Sequence, residues 1–80
     1  MEKEIAVFEK NSMEEVRIKI SEWKSQEYLD IRVWTNPRYE KEGEGKPTKK
    51  GITLNIELLP SLLEALKKAD KALKASGEKN

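Results

Sequence analysis

The residues with the most chemistry to offer lie between Tyr28 and Leu54, YLDIRVWTNPRYEKEGEGKPTKKGITL. Read with the two-residue period of a strand, Leu29, Ile31 and Val33 share one face, and Tyr28, Asp30, Arg32 and Trp34 share the other. Two aromatic rings and a guanidinium on the wetter face of a strand do little for solubility. They suit a nucleobase, because rings and guanidinium planes stack on base faces while cations pair with phosphates. Lys46, Lys49 and Lys50 follow in a glycine-bearing loop that leads through Gly51 into a strand at Ile52–Leu54. Strand and loop together point to a groove for single-stranded nucleic acid.

Other chemistries are poorly supplied. The chain has neither histidine nor cysteine, which removes the usual general base, thiolate and most zinc sites, disulfides, and the serine and cysteine triads. Glu40, Glu42 and Glu44 alternate among lysines, a pattern that reads as a solvated surface rather than a cation site. Gly43 and Gly45 resemble the start of a phosphate-cradling loop, but the third glycine and the following helix are missing. The expectation is a protein with no catalytic residues, metal or cofactor.

The elements that must position the face follow from the hydrophobic periods. Val16, Ile18 and Ile20 recur at strict two-residue spacing with Arg17, Lys19 and Ser21 between them, so a strand is expected from about Glu15 to Trp23. The helix-capping pattern Ser12–Glu15 just before it is a chance match. Trp23 to Gln26 forms a turn, and Glu27–Thr35 returns as the antiparallel partner until Asn36 and Pro37 end it. Ile5–Glu9 can add an edge strand, and Tyr39–Glu42 a further short one. Beyond Leu54 the period changes: Leu59, Leu62, Leu63, Leu66, Ala69 and Leu73 recur at spacings of three and four, the signature of an amphipathic helix. Asn55 can cap a start at Ile56, while Pro60 favours a regular helix only from there. Residues 76–80 have no apolar content and are expected to fray.

Eighty residues make one domain at most, 1–80, with its core at about 13–75. A core of that size is usually marginal alone, so oligomerisation is the expected source of further stability. No apolar run approaches the roughly 18 to 20 residues of a membrane span, and a cytoplasmic protein without a membrane partner is expected. Net charge is only +1, but its distribution is uneven. Residues 1–16 hold two lysines and five glutamates, whereas residues 17–55 hold nine basic and six acidic residues. The positive excess therefore falls on the expected sheet.

The order of these motifs resembles the single-stranded DNA-binding domain of transcriptional positive cofactor four. The resemblance rests on Trp23-Lys24 in the first turn, Asp30-Ile31-Arg32 and Trp34 in the second strand, and Lys46-Pro-Thr-Lys-Lys-Gly-Ile-Thr-Leu54 before Asn55 and a leucine-rich helix. It covers about residues 13–75, and the compact chain looks like a bacterial member. It implies an α+β fold, a curved antiparallel four-stranded sheet followed by a C-terminal amphipathic helix. It also implies a homodimer that binds unpaired DNA with little sequence preference. By position it puts Trp23 in the place of a stacking aromatic with Lys24 beside it, Arg32 in that of a DNA-contacting arginine, and Trp34 within one position of the family's tryptophan. Lys46, Lys49 and Lys50 match basic loop positions. Ser21 and Gln26 stand where the human-type domain has basic residues, and the loop after Trp34 is longer here.

The candidate nucleic-acid-binding set is thus Arg17, Lys19, Trp23, Lys24, Tyr28, Arg32, Trp34, Lys46, Lys49 and Lys50. The candidate dimer interface is Leu59, Leu62, Leu63, Leu66 and Leu73. Plainer roles remain open at this stage. Trp23 can fold over the sheet edge. Arg32 and Trp34 can form a surface cation–π pair while Asp30 neutralises Arg17 or Lys19 across the strands. The same face also suits a protein-interaction adaptor, on transcription machinery for example, and a stacking platform accepts RNA as well as DNA. A nucleoid-associated transcription cofactor or genome-maintenance protein is the expected setting.

Overall fold

Branched apolar residues at every second position of Val16–Ile20 and Leu29–Val33 produce two ten-residue strands. They pair antiparallel without interruption, from Glu14 opposite Thr35 to Trp23 opposite Gln26. The computed structural model describes residues 2–39, 43 and 45–76 and builds outward from this hairpin. Strands β1 (Glu2–Glu9), β2 (Glu14–Trp23), β3 (Gln26–Thr35) and β4 (Pro47–Asn55) form one antiparallel sheet in the order β1-β2-β3-β4. A 3-10 turn at Ile56–Leu58 and helix α1 (Leu59–Ala75) follow. The four strands and helix are the α+β fold expected from the sequence. Among the described residues no helix is long and apolar enough to cross a membrane.

Two local expectations are corrected. The last strand starts at Pro47, not Ile52, so Lys49 and Lys50 belong to a strand rather than a loop. The reason is a bulge: Arg32 pairs with Gly51 but Trp34 with Pro47, leaving Thr48, Lys49 and Lys50 opposite Val33 alone. A polar run that breaks the two-residue alternation hides such a strand. Next, Tyr39 lies in a 3-10 turn, Pro37–Tyr39, instead of a short strand; Glu40, Lys41, Glu42 and Glu44 lie outside the described residues. Ser76 closes α1, its N–H donating to Ala72 O at 3.1 Å and its hydroxyl to Leu73 O at 2.9 Å; of the tail expected to fray, residues 77–80 lie outside the described residues. At the other end of the helix both expected starting points occur in sequence, but the Asn55 side chain makes no capping hydrogen bond. The 3-10 turn begins at Ile56, and α-helix begins one turn later with Pro60 in its first turn, where the missing N–H costs nothing.

The sheet is two-faced. Val16, Ile18, Ile20, Leu29, Ile31, Val33 and Leu54 lie on one face, and a bulge in β1 between Glu4 and Ala6 adds Ile5 to it. The N-terminal half of helix α1 stands over this face without sealing it. An open cleft of about 220 Å³ remains between Ile5, Ile18, Ile20, Leu29 and Ile31 of the sheet and Leu59, Leu62, Leu63 and Leu66 of the helix. Leu29 is the sole hydrophobic residue below a tenth exposed among those described, whereas Leu63 and Leu66 are 50% and 56% exposed. The accessible area is 6502 Å², against about 4,900 Å² for a compact monomer of this mass. The radius of gyration is 15.0 Å, against about 11.6 Å for a compact domain of this length.

The β2–β3 turn stores backbone strain. Its two central residues, Lys24 and Ser25, have φ of 52° and 64° without being glycine. Positive φ at both positions is what a two-residue type I′ hairpin demands, and a side chain there costs about 1–2 kcal/mol. Ser25→Gly should therefore raise the melting temperature by about 4–8 °C at fixed protein concentration. Calorimetry checks this, and an unchanged or lower melting temperature would mean that the turn is not strained at Ser25.

Candidate nucleic-acid interface

The opposite face of the hairpin carries the charge. Alternation puts Glu15, Arg17, Lys19 and Ser21 of β2 beside Trp34, Arg32, Asp30 and Tyr28 of β3, each pair in direct cross-strand register. Trp23 continues the line at the hairpin tip. From the Glu15–Trp34 pair to Trp23 is eight residues along β2, or about 26 Å of strand.

The two tryptophans at the ends of this line differ. Trp23 is 62% exposed, and Lys24 Nζ stands 4.5 Å from its ring centroid. It does not fold over the sheet edge. Trp34 is half-buried and already carries two cations, with Arg17 Cζ 4.1 Å and Lys19 Nζ 4.4 Å from its centroid. Both cations come from the neighbouring strand, so the pairing weighed from the sequence, Arg32 on Trp34, is replaced by a diagonal one. The indole Nε1 is buried without a hydrogen-bond partner among the described residues. Below the cations lies a residue the sequence reading passed over: Glu15, 8% exposed, accepts a 2.6 Å hydrogen bond from Arg17 Nε. Its signal was its place in the alternation, two residues before Arg17 on the same face.

Arg32 points across β4. Its Nε and Nη2 donate to Asp30 Oδ2 and Oδ1 at 3.2 and 3.0 Å, Nη1 donates to Thr48 O at 3.0 Å, and Nη2 also reaches Thr53 Oγ1 at 3.3 Å. Asp30 thus neutralises Arg32 on its own strand, while Lys19, opposite it in register, adds a weaker charge effect. Burial raises the Asp30 pKa, but hydrogen bonds from Arg32 and Thr53 and the nearby positive charges outweigh it, so the carboxyl lies below its ordinary value.

The three lysines separate. Lys46 is tied through its backbone, its N–H donating to Thr35 Oγ1 at 2.7 Å and its carbonyl accepting from Thr35 N–H at 2.9 Å, which leaves its side chain exposed. Lys49 is exposed in the bulge, and Lys50 Nζ lies 3.8 Å from Glu14 Oε2. Glu14 is itself held below its usual pKa, first by the Asn11 hydrogen bond and then by Lys10. Tyr28 is half-buried between Ser21 and Asn55 of the adjacent strands. The fold therefore gathers Arg17, Lys19, Tyr28, Arg32 and Trp34 on one face with Trp23 and Lys24 at its end. Asn36, 4% exposed, pins the exit from β3: its N–H donates to Met13 O and its side-chain Oδ1 accepts from Arg38 N–H. Among the described residues no group of three acids, histidines or cysteines is placed to hold a metal.

The family profile Transcriptional Coactivator p15 (PC4) matches residues 10–65. The chain belongs to the PC4 family, as a member of bacterial type. Among solved structures it is similar to a PC4 homologue from Burkholderia pseudomallei, at 28% identity and a TM-score of 0.74 over 85% of this chain and 88% of that one. It is also similar to MoSub1, solved in complex with DNA, at 29% identity and a TM-score of 0.60 over 94% of this chain and 88% of that one. A bacteriophage T5 homologue of the eukaryotic coactivator, 24% identical, shares the fold with a TM-score of 0.62 over 95% of this chain and 81% of that one. No curated protein sequence matches.

The lowered Asp30 pKa sets a pH dependence. The folded-state value lies below the unfolded one, so the stabilisation is complete above the ordinary aspartate value of about 3.9 and is lost as pH falls through the lowered value. In urea titrations, wild type should exceed Asp30→Asn in stability near about pH 7, and the gap should narrow progressively as pH falls below the ordinary aspartate value. An unchanged gap would remove Asp30 from the linkage.

Proposed function

We propose that this chain binds single-stranded DNA, with little sequence preference, along the polar face of its sheet, and that it does so as a homodimer. The observation that carries the proposal is the line of rings and cations from Trp34 through Lys19 and Tyr28 to Trp23. Stacking tolerates any base, because every base has a π-face, and lysine and arginine read phosphate rather than sequence. Membership of a DNA-binding family and the likeness to a protein solved with DNA support the same reading. In it Trp23 stacks on a base, and Lys24, Lys46 and Lys49 meet phosphate. Arg17 and Lys19 hold Trp34 in place and face the strand. No catalytic step is assigned, and a transcription-cofactor or genome-maintenance role in the bacterial cytoplasm fits this activity.

Titration of labelled oligonucleotides should show unpaired DNA bound well above duplex, with affinity falling steeply as salt rises. Trp23→Ala should weaken binding by about 1–3 kcal/mol with the fold intact. Equal affinity for duplex and single strands would refute the proposal, and a preference for RNA over DNA would reassign the ligand. A folded Trp23→Ala variant with wild-type affinity would remove that ring from the site.

Dimerisation is supported by the unsealed leucine cleft. The accessible area exceeds that of a compact monomer by roughly 1,600 Å² per chain, comparable with one side of an obligate homodimer interface. Leu63, Leu66 and Leu73 are each half or more exposed on α1. Leu66→Glu should dissociate or unfold the protein and abolish tight binding. Sedimentation equilibrium checks the point, and a wild-type monomer at micromolar concentration that still binds DNA would rule the dimer out.

A further inference from the structure

The bulge in β4 and the hydrogen bonds of Arg32 describe one device. A guanidinium has five N–H donors, and those of Arg32 reach Asp30 twice, Thr48 O once and Thr53 Oγ1 once. Thr53 Oγ1 in turn donates to Asp30 Oδ1 at 2.7 Å, closing a three-residue ring across β3 and β4. The carbonyl that Nη1 holds belongs to the first residue of the bulge. The Thr48 side chain then completes the bulge from within, its hydroxyl donating to Val33 O at 2.8 Å and accepting from Lys50 N–H at 3.2 Å. On the far side, a Cβ at Gly51 would stand 2.5 Å from Ile31 O and 2.9 Å from Arg32 Cα, so β4 passes too close to β3 there for any side chain.

We infer that Arg32 is a positioning residue, which clamps the Thr48–Lys50 bulge so that Lys49 is presented to phosphate, and is not itself the phosphate contact. Two features favour the clamp. Asp30 lies 3.0 Å from the guanidinium, so the pair offers an approaching phosphate almost no net charge and a repelling carboxylate. The fork geometry also matters more than the charge here, because an ammonium cannot hold Asp30, Thr48 O and Thr53 at once. The DNA-binding arm of the inference rests on the proposed function; the clamping arm does not.

The two roles predict opposite results. Were Arg32 a direct contact, Arg32→Lys would keep most of the affinity, and Asp30→Ala would strengthen binding by removing a negative charge and freeing the arginine. As a clamp, both variants should bind single-stranded DNA about three- to tenfold more weakly. The salt slope should fall by about 0.7, one phosphate contact, as Lys49 loses its place. Hydrogen exchange on the DNA-free protein supplies the independent readout, with faster exchange at the Lys50 amide in both variants than in wild type. Thr53→Val, which leaves the charges alone, should show the same changes in milder form and carries the test if Asp30→Ala fails to fold. Tighter binding by Asp30→Ala, full affinity in Arg32→Lys, or wild-type exchange at Lys50 would each overturn the clamp. If wild type binds no DNA, the proposed function fails, while the exchange measurement still decides whether Arg32 holds the bulge.

Discussion

Everything in this molecule hangs from the uninterrupted ladder between β2 and β3. Ten residues on each strand pair without a slip, so the two-residue period runs unbroken from Glu14 to Trp23 and from Gln26 to Thr35. A one-residue shift would carry Val16, Ile18 and Ile20 to the charged side and Arg17 and Lys19 into the leucine cleft. The tight turn at Lys24 and Ser25 sets the starting register, and such a shift would trade the one apolar face of the hairpin for charge. The outer strands have no such constraint, and both of them bulge. Irregularity is thus confined to β1 and β4, where it adjusts the sheet without disturbing the pairs that define its faces.

The same ladder explains what was legible in the sequence. Val16-Ile18-Ile20 and Leu29-Ile31-Val33 announce their strands because both face a core and alternate strictly, and the leucines after Leu58 announce the helix by their changed period. β4 was legible only in its last three apolar residues. Its first half, Pro47-Thr48-Lys49-Lys50, has a proline at the edge, two exposed lysines and a hydrogen bond from the Thr48 side chain in place of a ladder bond, none of which leaves a periodic mark. The candidate site was legible as a set of residue types on one face. Its internal partnerships were not, because they are diagonal or set by tertiary contacts: Arg17 and Lys19 reach Trp34 rather than their direct cross-strand neighbours, and Arg32 reaches over a bulge whose register no local pattern gives.

Two kinds of aromatic residue result. Trp23 stands at a strained tip with one exposed lysine nearby, so a ligand can approach its ring without dismantling structure. Trp34 is part of a small charged assembly in which Glu15 aligns Arg17 and Arg17 covers the ring. An isolated cation–π contact of this exposure is worth about 0.5–1 kcal/mol and gives way readily. Glu15 changes that, since a nearly buried carboxylate hydrogen-bonded at 2.6 Å restrains the guanidinium that a base would have to displace. Access to Trp34 therefore requires an exchange of partners, whereas access to Trp23 requires only diffusion.

In the proposed function, exchange is also how a chain of net charge +1 would hold a polyanion. Most cations on or beside the candidate face already have carboxylate partners: Arg17 with Glu15, Lys19 with Glu2, Arg32 with Asp30 and Lys50 with Glu14. A phosphate that takes one of these cations leaves a carboxylate behind, which then recruits a counterion from solution. The counterion released from the nucleic acid is partly balanced by the one taken up, so the net salt dependence per contact is smaller than for an unpaired lysine. The exposed Lys50, at 70%, exchanges its partner at little cost, because surface pairs contribute about 0–1 kcal/mol. The less exposed cations, Arg17, Lys19 and Arg32, resist exchange and serve geometry instead. Charge on this face is thus divided by burial into a movable outer set that can meet phosphate and a fixed inner set that holds the rings and the bulge in place.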